Sequence, residues 1–120
     1  MEGNARYVSG QLTERDFSAG RVARTQGQKP FAAILGCADS RVAPELAFDQ
    51  GPGELFVVRV AGNFVTPDGL GSLEYGAAVL GTKVIMVLGH TSCGAIGATI
   101  GALQKGNTHC PVTSPTWSPP

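Results

Sequence analysis

The sequence carries no surplus of either charge: nine Lys and Arg stand against nine Asp and Glu, a formal net charge of +0 with histidine neutral. There is accordingly no electrostatic basis for gripping a nucleic-acid backbone or an anionic membrane surface. No apolar run reaches membrane-spanning length, and the opening Met1-Glu2-Gly3-Asn4-Ala5-Arg6 has no apolar signal core. Cysteine is scarce and odd in number, at three, which argues against a disulfide framework and for a reducing compartment. The expectation is a soluble, cytoplasmic protein. Missing too is a glycine fingerprint between the first apolar strand and its helix, which disfavours a Rossmann-type nucleotide binder. A length of 120 residues allows one domain with a modest core.

What the sequence does hold is an alternation of apolar, β-branched runs with helical patterns. Residues 31–36 read as a first strand, entered through Pro30. Pro44-Glu45-Leu46-Ala47-Phe48 reads as a helical turn with proline near its start, and residues 49–53 as a loop. Residues 54–60 form a second strand whose unbroken apolar character predicts burial on both faces. A helix is expected over about 70–80, with Leu73, Ala77 and Leu80 at helical spacing and Gly81 as terminator. Residues 83–89 are a third strand, and a last helix from Ser92 or Cys93 carries Ile96, Ile100 and Leu103 along one side. Ahead of these lies a polar segment, 1–29. It holds a helix from Asn4 towards Leu12 that would set Tyr7 and Val8 on apolar surface and a short irregular helical stretch across 15–24, both lying on the domain or on a partner chain. The fold class is α/β, a mostly parallel β-sheet flanked by helices. Four of the eight prolines fall in the last ten residues. The domain is therefore taken as 1–106, with a Pro/Ser/Thr-rich tail over 107–120 that is extended or disordered.

Polar chemistry follows directly on two of the strands, where open α/β sheets put their sites. Cys37-Ala38-Asp39-Ser40-Arg41 follows the first, and His90-Thr91-Ser92-Cys93 follows the third. Two thiols, an imidazole and a carboxylate are ligand types zinc prefers, and ligands of one ion come in closely spaced pairs. Cys93 also falls near a helix amino terminus, where the dipole favours negative charge. Singly, the cysteines would read as small core residues, His90 as a satisfied loop histidine, and Asp39-Arg41 as an ordinary turn salt bridge. Their combination at equivalent strand ends favours a metal site. Asp39 ligating the metal would block it; held by the planar Arg41 guanidinium, it would be drawn away.

The stretch from Cys37 to Arg41, with His90-Thr91-Ser92-Cys93-Gly94, resembles the signature of the beta-class carbonic anhydrases. The likeness extends through Gly3-Asn4-Ala5-Arg6-Tyr7, Phe48-Asp49-Gln50-Gly51, Val58-Arg59-Val60-Ala61-Gly62-Asn63 and Ser72-Leu73-Glu74-Tyr75. It implies one Zn2+ per chain held by Cys37, His90 and Cys93, with water or Asp39 in the fourth place. The activity implied is reversible hydration of carbon dioxide to bicarbonate by a zinc-bound hydroxide, the Asp39–Arg41 pair switching the site between open and closed. Two thiolates and a neutral imidazole leave the metal group formally uncharged, so activity is expected to rise into mildly alkaline pH.

By the same resemblance, Val42, Phe56, Ala61, Tyr75 and Gly94 line the substrate pocket, although Phe56 and Val42 alone would read as core. Gln28 matches a residue that hydrogen-bonds substrate. Nine extended residues at about 3.3 Å each separate it from Cys37, so it would serve a neighbouring subunit, in keeping with a homodimer or higher homo-oligomer. The likeness stops near Gln104-Lys105-Gly106, where relatives continue, which predicts a chain lacking the usual C-terminal part. Two alternatives stand beside the leading one: hydrolysis of carbonyl sulfide or carbon disulfide at the same site, or a catalytically weak zinc-binding or interaction protein.

Overall fold

The computed structural model describes residues 1–106, in two compact units, residues 1–89 and the segment from His90 onward. The expected extended tail lies outside the described residues. The elements in chain order are α1 (Glu2–Val8), α2 (Arg21–Arg24), β1 (Ala32–Cys37), α3 (Pro44–Ala47), β2 (Leu55–Val60), α4 (Pro67–Ala78), β3 (Val84–Leu88) and α5 (Gly94–Gln104). Among the described residues no helix is long and apolar enough to cross a membrane.

The first unit is built on a three-stranded sheet in the order β2-β1-β3, with both pairings parallel. Gly36 of β1 stands opposite Arg59 on one side and Leu88 on the other, and Cys37 stands opposite Val60. Position in the sheet decides burial. Every residue of central β1 is buried, β2 is half-buried throughout, and β3 exposes Val84, Ile85 and Val87. This corrects the expectation that the second strand, β2, is buried on both faces, and β3 is covered still less. Apolar, β-branched sequence marks a strand, but its cover comes from spatial neighbours, and both of these strands stand at sheet edges.

Alternation along β1 sends Ala33, Leu35 and Cys37 to one face and Ala32 and Ile34 to the other. On the first face Ala33 and Leu35 form a buried cluster with Leu73 of α4, and Phe56 and Val58 pack against it. The α4 helix starts ahead of the expected 70–80. Thr66 caps it by accepting from the Gly69 N–H at 3.0 Å, and Pro67 takes the first helical position, where a missing N–H costs nothing. It lies close on the sheet: a Cβ on Gly76 would come 3.0 Å from the Phe56 ring.

The polar opening segment is fixed by hydrogen bonds rather than by apolar packing. Tyr7 and Val8 are 44% and 77% exposed, so of the two expected supports, the domain or a partner chain, the domain does not cover them. Instead α1 docks through Gly3, where a Cβ would fall 1.8 Å from the Phe48 carbonyl oxygen, and through Asn4, which donates to the Ala47 carbonyl at 2.8 Å. Just beyond α3, the buried Asp49 carboxylate accepts from Arg6 Nε at 2.5 Å, Arg15 Nη1 at 2.6 Å and Thr13 Oγ1 at 2.7 Å. The two guanidinium groups, Arg6 first and Arg15 next, hold its carboxyl well below the usual carboxylate range.

A carboxylate pKa depressed by folding stabilises the fold above its unfolded value and loses that contribution as pH falls towards its folded value. The Tm difference between the parent chain and Asp49→Asn is therefore expected to be constant from neutrality to about pH 4 and to shrink only below it. A difference already collapsing near pH 6 in thermal melts would contradict the assignment.

Candidate metal centre

The first half of the site is built where β1 ends. Cys37 Sγ accepts the backbone N–H of Asp39 at 3.4 Å and that of Gly62 at 3.3 Å. Two N–H dipoles aimed at a sulfur favour negative charge on it, the state in which it binds a metal. Gly62 reaches this position from the turn after β2 with φ of +88°, in the left-handed region that suits glycine. Gly62→Ala should cost about 1–2 kcal/mol of backbone strain, and by turning the amide away it should also weaken metal binding. Chelator competition on the variant checks this, and unchanged metal affinity would count against the amide's role.

Asp39 lies two residues on. Its Oδ1 accepts from the Arg41 backbone N–H and Nε, both at 2.9 Å, and its Oδ2 accepts from Nη2 at 2.6 Å. This is the bidentate grip expected of a guanidinium on a carboxylate. The Arg41 side chain is 65% exposed, so the pair adds little to stability; its consequence is where the carboxylate points.

Arg59 is the residue the sequence reading passed over. From β2 its Nε donates to the Cys37 carbonyl and its Nη2 to the Asp39 carbonyl, both at 2.7 Å. The signal was present: one cation interrupts Leu55-Phe56-Val57-Val58-Arg59-Val60, and a guanidinium in a half-buried strand demands acceptors.

The other candidate ligands, His90 and Cys93, belong to the second unit. His90 Nδ1 lies 3.0 Å from the Thr91 carbonyl. A carbonyl only accepts, so Nδ1 carries the proton and Nε2 keeps the lone pair that can bind a metal. Ser92 takes the left-handed conformation at φ +57° to turn the chain, and Cys93 then stands at the N-cap of α5. The ligand atoms of His90 and Cys93 lie within 4.8 Å of each other, on the scale of two bonds to one zinc, about 2.3 Å to sulfur and about 2.0–2.1 Å to nitrogen.

The residues matched to a substrate pocket are more scattered. Phe56 is part of the core packing, and its ring meets that of exposed Tyr75 at 6.1 Å and 48°. Val42 is half-buried, Ala61 is exposed, and Gly94 is the first residue of α5. Gln28 is exposed and lines a cavity of about 350 Å³ with Arg24, Thr25, Gly27 and Gly53, at the amino end of the sheet; Cys37 is at the carboxyl end. An apolar cavity of about 300 Å³ lies on the other face, against Phe31, Ile34, Phe48, Leu55 and Met86, and none of the matched pocket residues lines it.

A family model described as carbonic anhydrase matches residues 32–116. The chain is 51% identical over 106 residues to a carbonic anhydrase of Mycolicibacterium smegmatis, covering 88% of this chain and 52% of that one. It is 50% identical over 106 residues to carbonic anhydrase 2 of Mycobacterium tuberculosis, covering 88% and 51%. The chain thus spans about half the length of these curated relatives. Among solved structures, one from a study of two tetrameric beta-carbonic anhydrases of Sordaria macrospora superposes with TM-score 0.61 at 32% identity, covering 79% of this chain and 48% of that one. A carbon disulfide hydrolase in its apo form superposes with TM-score 0.52 at 27% identity, covering 85% and 53%. Sheet, sequence and superposition agree, and the chain belongs to the beta-class carbonic anhydrase family.

Proposed function

We propose that this chain is a zinc-dependent carbonic anhydrase that interconverts carbon dioxide and bicarbonate, with Cys37, His90 and Cys93 as its metal ligands. The observation that carries the reading is the donor set: each of the three offers one ligand atom of a type zinc prefers. The strands support it. Because β1 and β3 run parallel and side by side, the segments that follow them start from the same end of the sheet. A catalytic zinc with three protein ligands supplies, when bound, a Lewis acid that makes hydroxide available near neutral pH.

The chain's own residues do the rest. The amides of Asp39 and Gly62 steady the Cys37 sulfur, and the Thr91 carbonyl fixes the tautomer of His90. Arg41 holds Asp39 by three hydrogen bonds. So held, the carboxylate is kept from serving as a fourth ligand and is left to accept a hydrogen bond from the nucleophile and orient it. The family resemblance assigns Val42, Phe56, Ala61, Tyr75 and Gly94 to the apolar surround suited to an uncharged substrate. Gln28 lies at the amino end of the sheet, so it serves the site of a second copy; a homodimer or a larger assembly follows, as the tetrameric Sordaria enzymes support. Scarce cysteine favours a reducing, cytoplasmic setting.

Hydrolysis of carbonyl sulfide or carbon disulfide is the second reading, favoured by the superposition on a carbon disulfide hydrolase. Stopped-flow hydration of carbon dioxide by the zinc-loaded chain, beside assays of the two sulfur compounds, decides between them. Carbon dioxide turnover that disappears on chelation is expected. Turnover of the sulfur compounds alone would favour the second reading, and bound zinc with no turnover would leave a binding or interaction protein.

A further inference from the structure

The geometry points to Arg59 as a positioning residue that fixes the metal-binding turn through its backbone, an inference that rests on the zinc reading above. Arg59 stands opposite Gly36 in the β1–β2 ladder. Alternation therefore sends its side chain to the face opposite that of Cys37, so it approaches the turn from behind and does not act as a ligand. From there Nε and Nη2, on one edge of a rigid plane, donate to the carbonyls of Cys37 and Asp39 at 2.7 Å each. One planar group thus spans both ends of Cys37-Ala38-Asp39, the segment that carries one thiolate and the carboxylate beside it. The same three residues are tied from the other side by Ala38, whose N–H donates to the Val60 carbonyl at 3.0 Å. The Cys37 carbonyl and the Ala38 N–H together set the Cys37–Ala38 peptide plane, and the Asp39 carbonyl sets the Asp39–Ser40 plane. The Ala38–Asp39 peptide is held between these two planes, and its N–H is the one that the Cys37 Sγ accepts.

A lysine cannot reproduce this. Its ammonium is a point donor that serves one carbonyl at a time, whereas the guanidinium edge serves two in a fixed geometry. Arg59 would then act on the metal without touching it, as partners one shell out from a ligand do, typically at 10–100-fold in affinity.

The test is cobalt(II) binding by the full chain, read by chelator competition and by the thiolate-to-cobalt charge-transfer band, with circular dichroism to check folding. Arg59→Met is expected to bind cobalt about 10–100-fold more weakly, with a weaker band per bound ion, and Arg59→Lys to fall between it and the parent. Gly76→Ala, which loosens α4 on β2 away from the turn, serves as the control for lost stability and should bind like the parent. Should Arg59→Met fail to fold, Arg59→Lys decides: weakened binding supports the assignment and parent-like binding overturns it. Equal weakening in Gly76→Ala would also overturn it, since Arg59 would then act through stability alone. A parent chain that binds neither cobalt nor zinc overturns the zinc reading and this one with it. A parent that binds beside indifferent Arg59 variants overturns this one only.

Discussion

Cys37→Ser is expected to strip the chain of zinc and take carbon dioxide hydration down to background. A neutral hydroxyl replaces a thiolate, and two N–H groups, from Asp39 and Gly62, that favoured charge on sulfur are left facing a group that carries none. Losing a ligand should cost more than the roughly 10–100-fold that losing an outer partner costs. The fold should survive: Cys37 is 3% exposed, serine is smaller, and its oxygen can accept the same two amides at a net cost near about 1 kcal/mol. Metal analysis beside a thermal melt separates the two effects. A folded Cys37→Ser chain that keeps full zinc would contradict the ligand assignment.

Arg41→Lys is expected to lower kcat/KM by about 10²-fold through misplacement of a catalytic group, with little change in stability. The parent holds Asp39 by a backbone N–H and by two side-chain donors in one plane. Lysine keeps the first and replaces the pair by a single mobile donor. The carboxylate is then free to swing onto the metal and close the fourth place. The cobalt(II) spectrum reads this directly: thiocyanate should perturb the parent's bands, because a place is open, and leave those of Arg41→Lys unmoved. Equal response to the anion in both proteins would sink the idea. The stability part rests on exposure, since an ion pair with one partner largely in water contributes at most about 1 kcal/mol.

Much of the fold was legible in the sequence because its signals are local. Three apolar, β-branched runs marked three strands, Pro44 marked a helix start, and the candidate ligands stood out because they come in short pairs just past strand ends. Depth of burial was not legible. Val84, Ile85 and Val87 have the composition of a central strand and stand at an edge, since what covers a strand is set by chain far from it in sequence. The start of α4 was missed because the capping hydroxyl of Thr66 and the proline after it read as a loop until the helix is seen.

Two polar features escaped for the same reason. Asp49 sits in what composition marks as a loop, yet residues 34 and 43 positions away converge on it. Arg59 reads as one cation in a strand, and only the β1–β2 register, which sets it opposite Gly36, shows why its donors arrive at the Cys37 and Asp39 carbonyls. Long-range hydrogen bonds leave almost no trace in periodicity, whereas their donors and acceptors are plain once the register is known.

Zinc-edge X-ray absorption on the purified, zinc-loaded chain tests the central claim most directly. Cys37, Cys93 and His90 as ligands predict one zinc per chain with two sulfur neighbours at about 2.3 Å and the remaining neighbours nitrogen or oxygen at about 2.0–2.1 Å. A chain that holds no zinc, or a spectrum with no sulfur in the first coordination sphere, would contradict it.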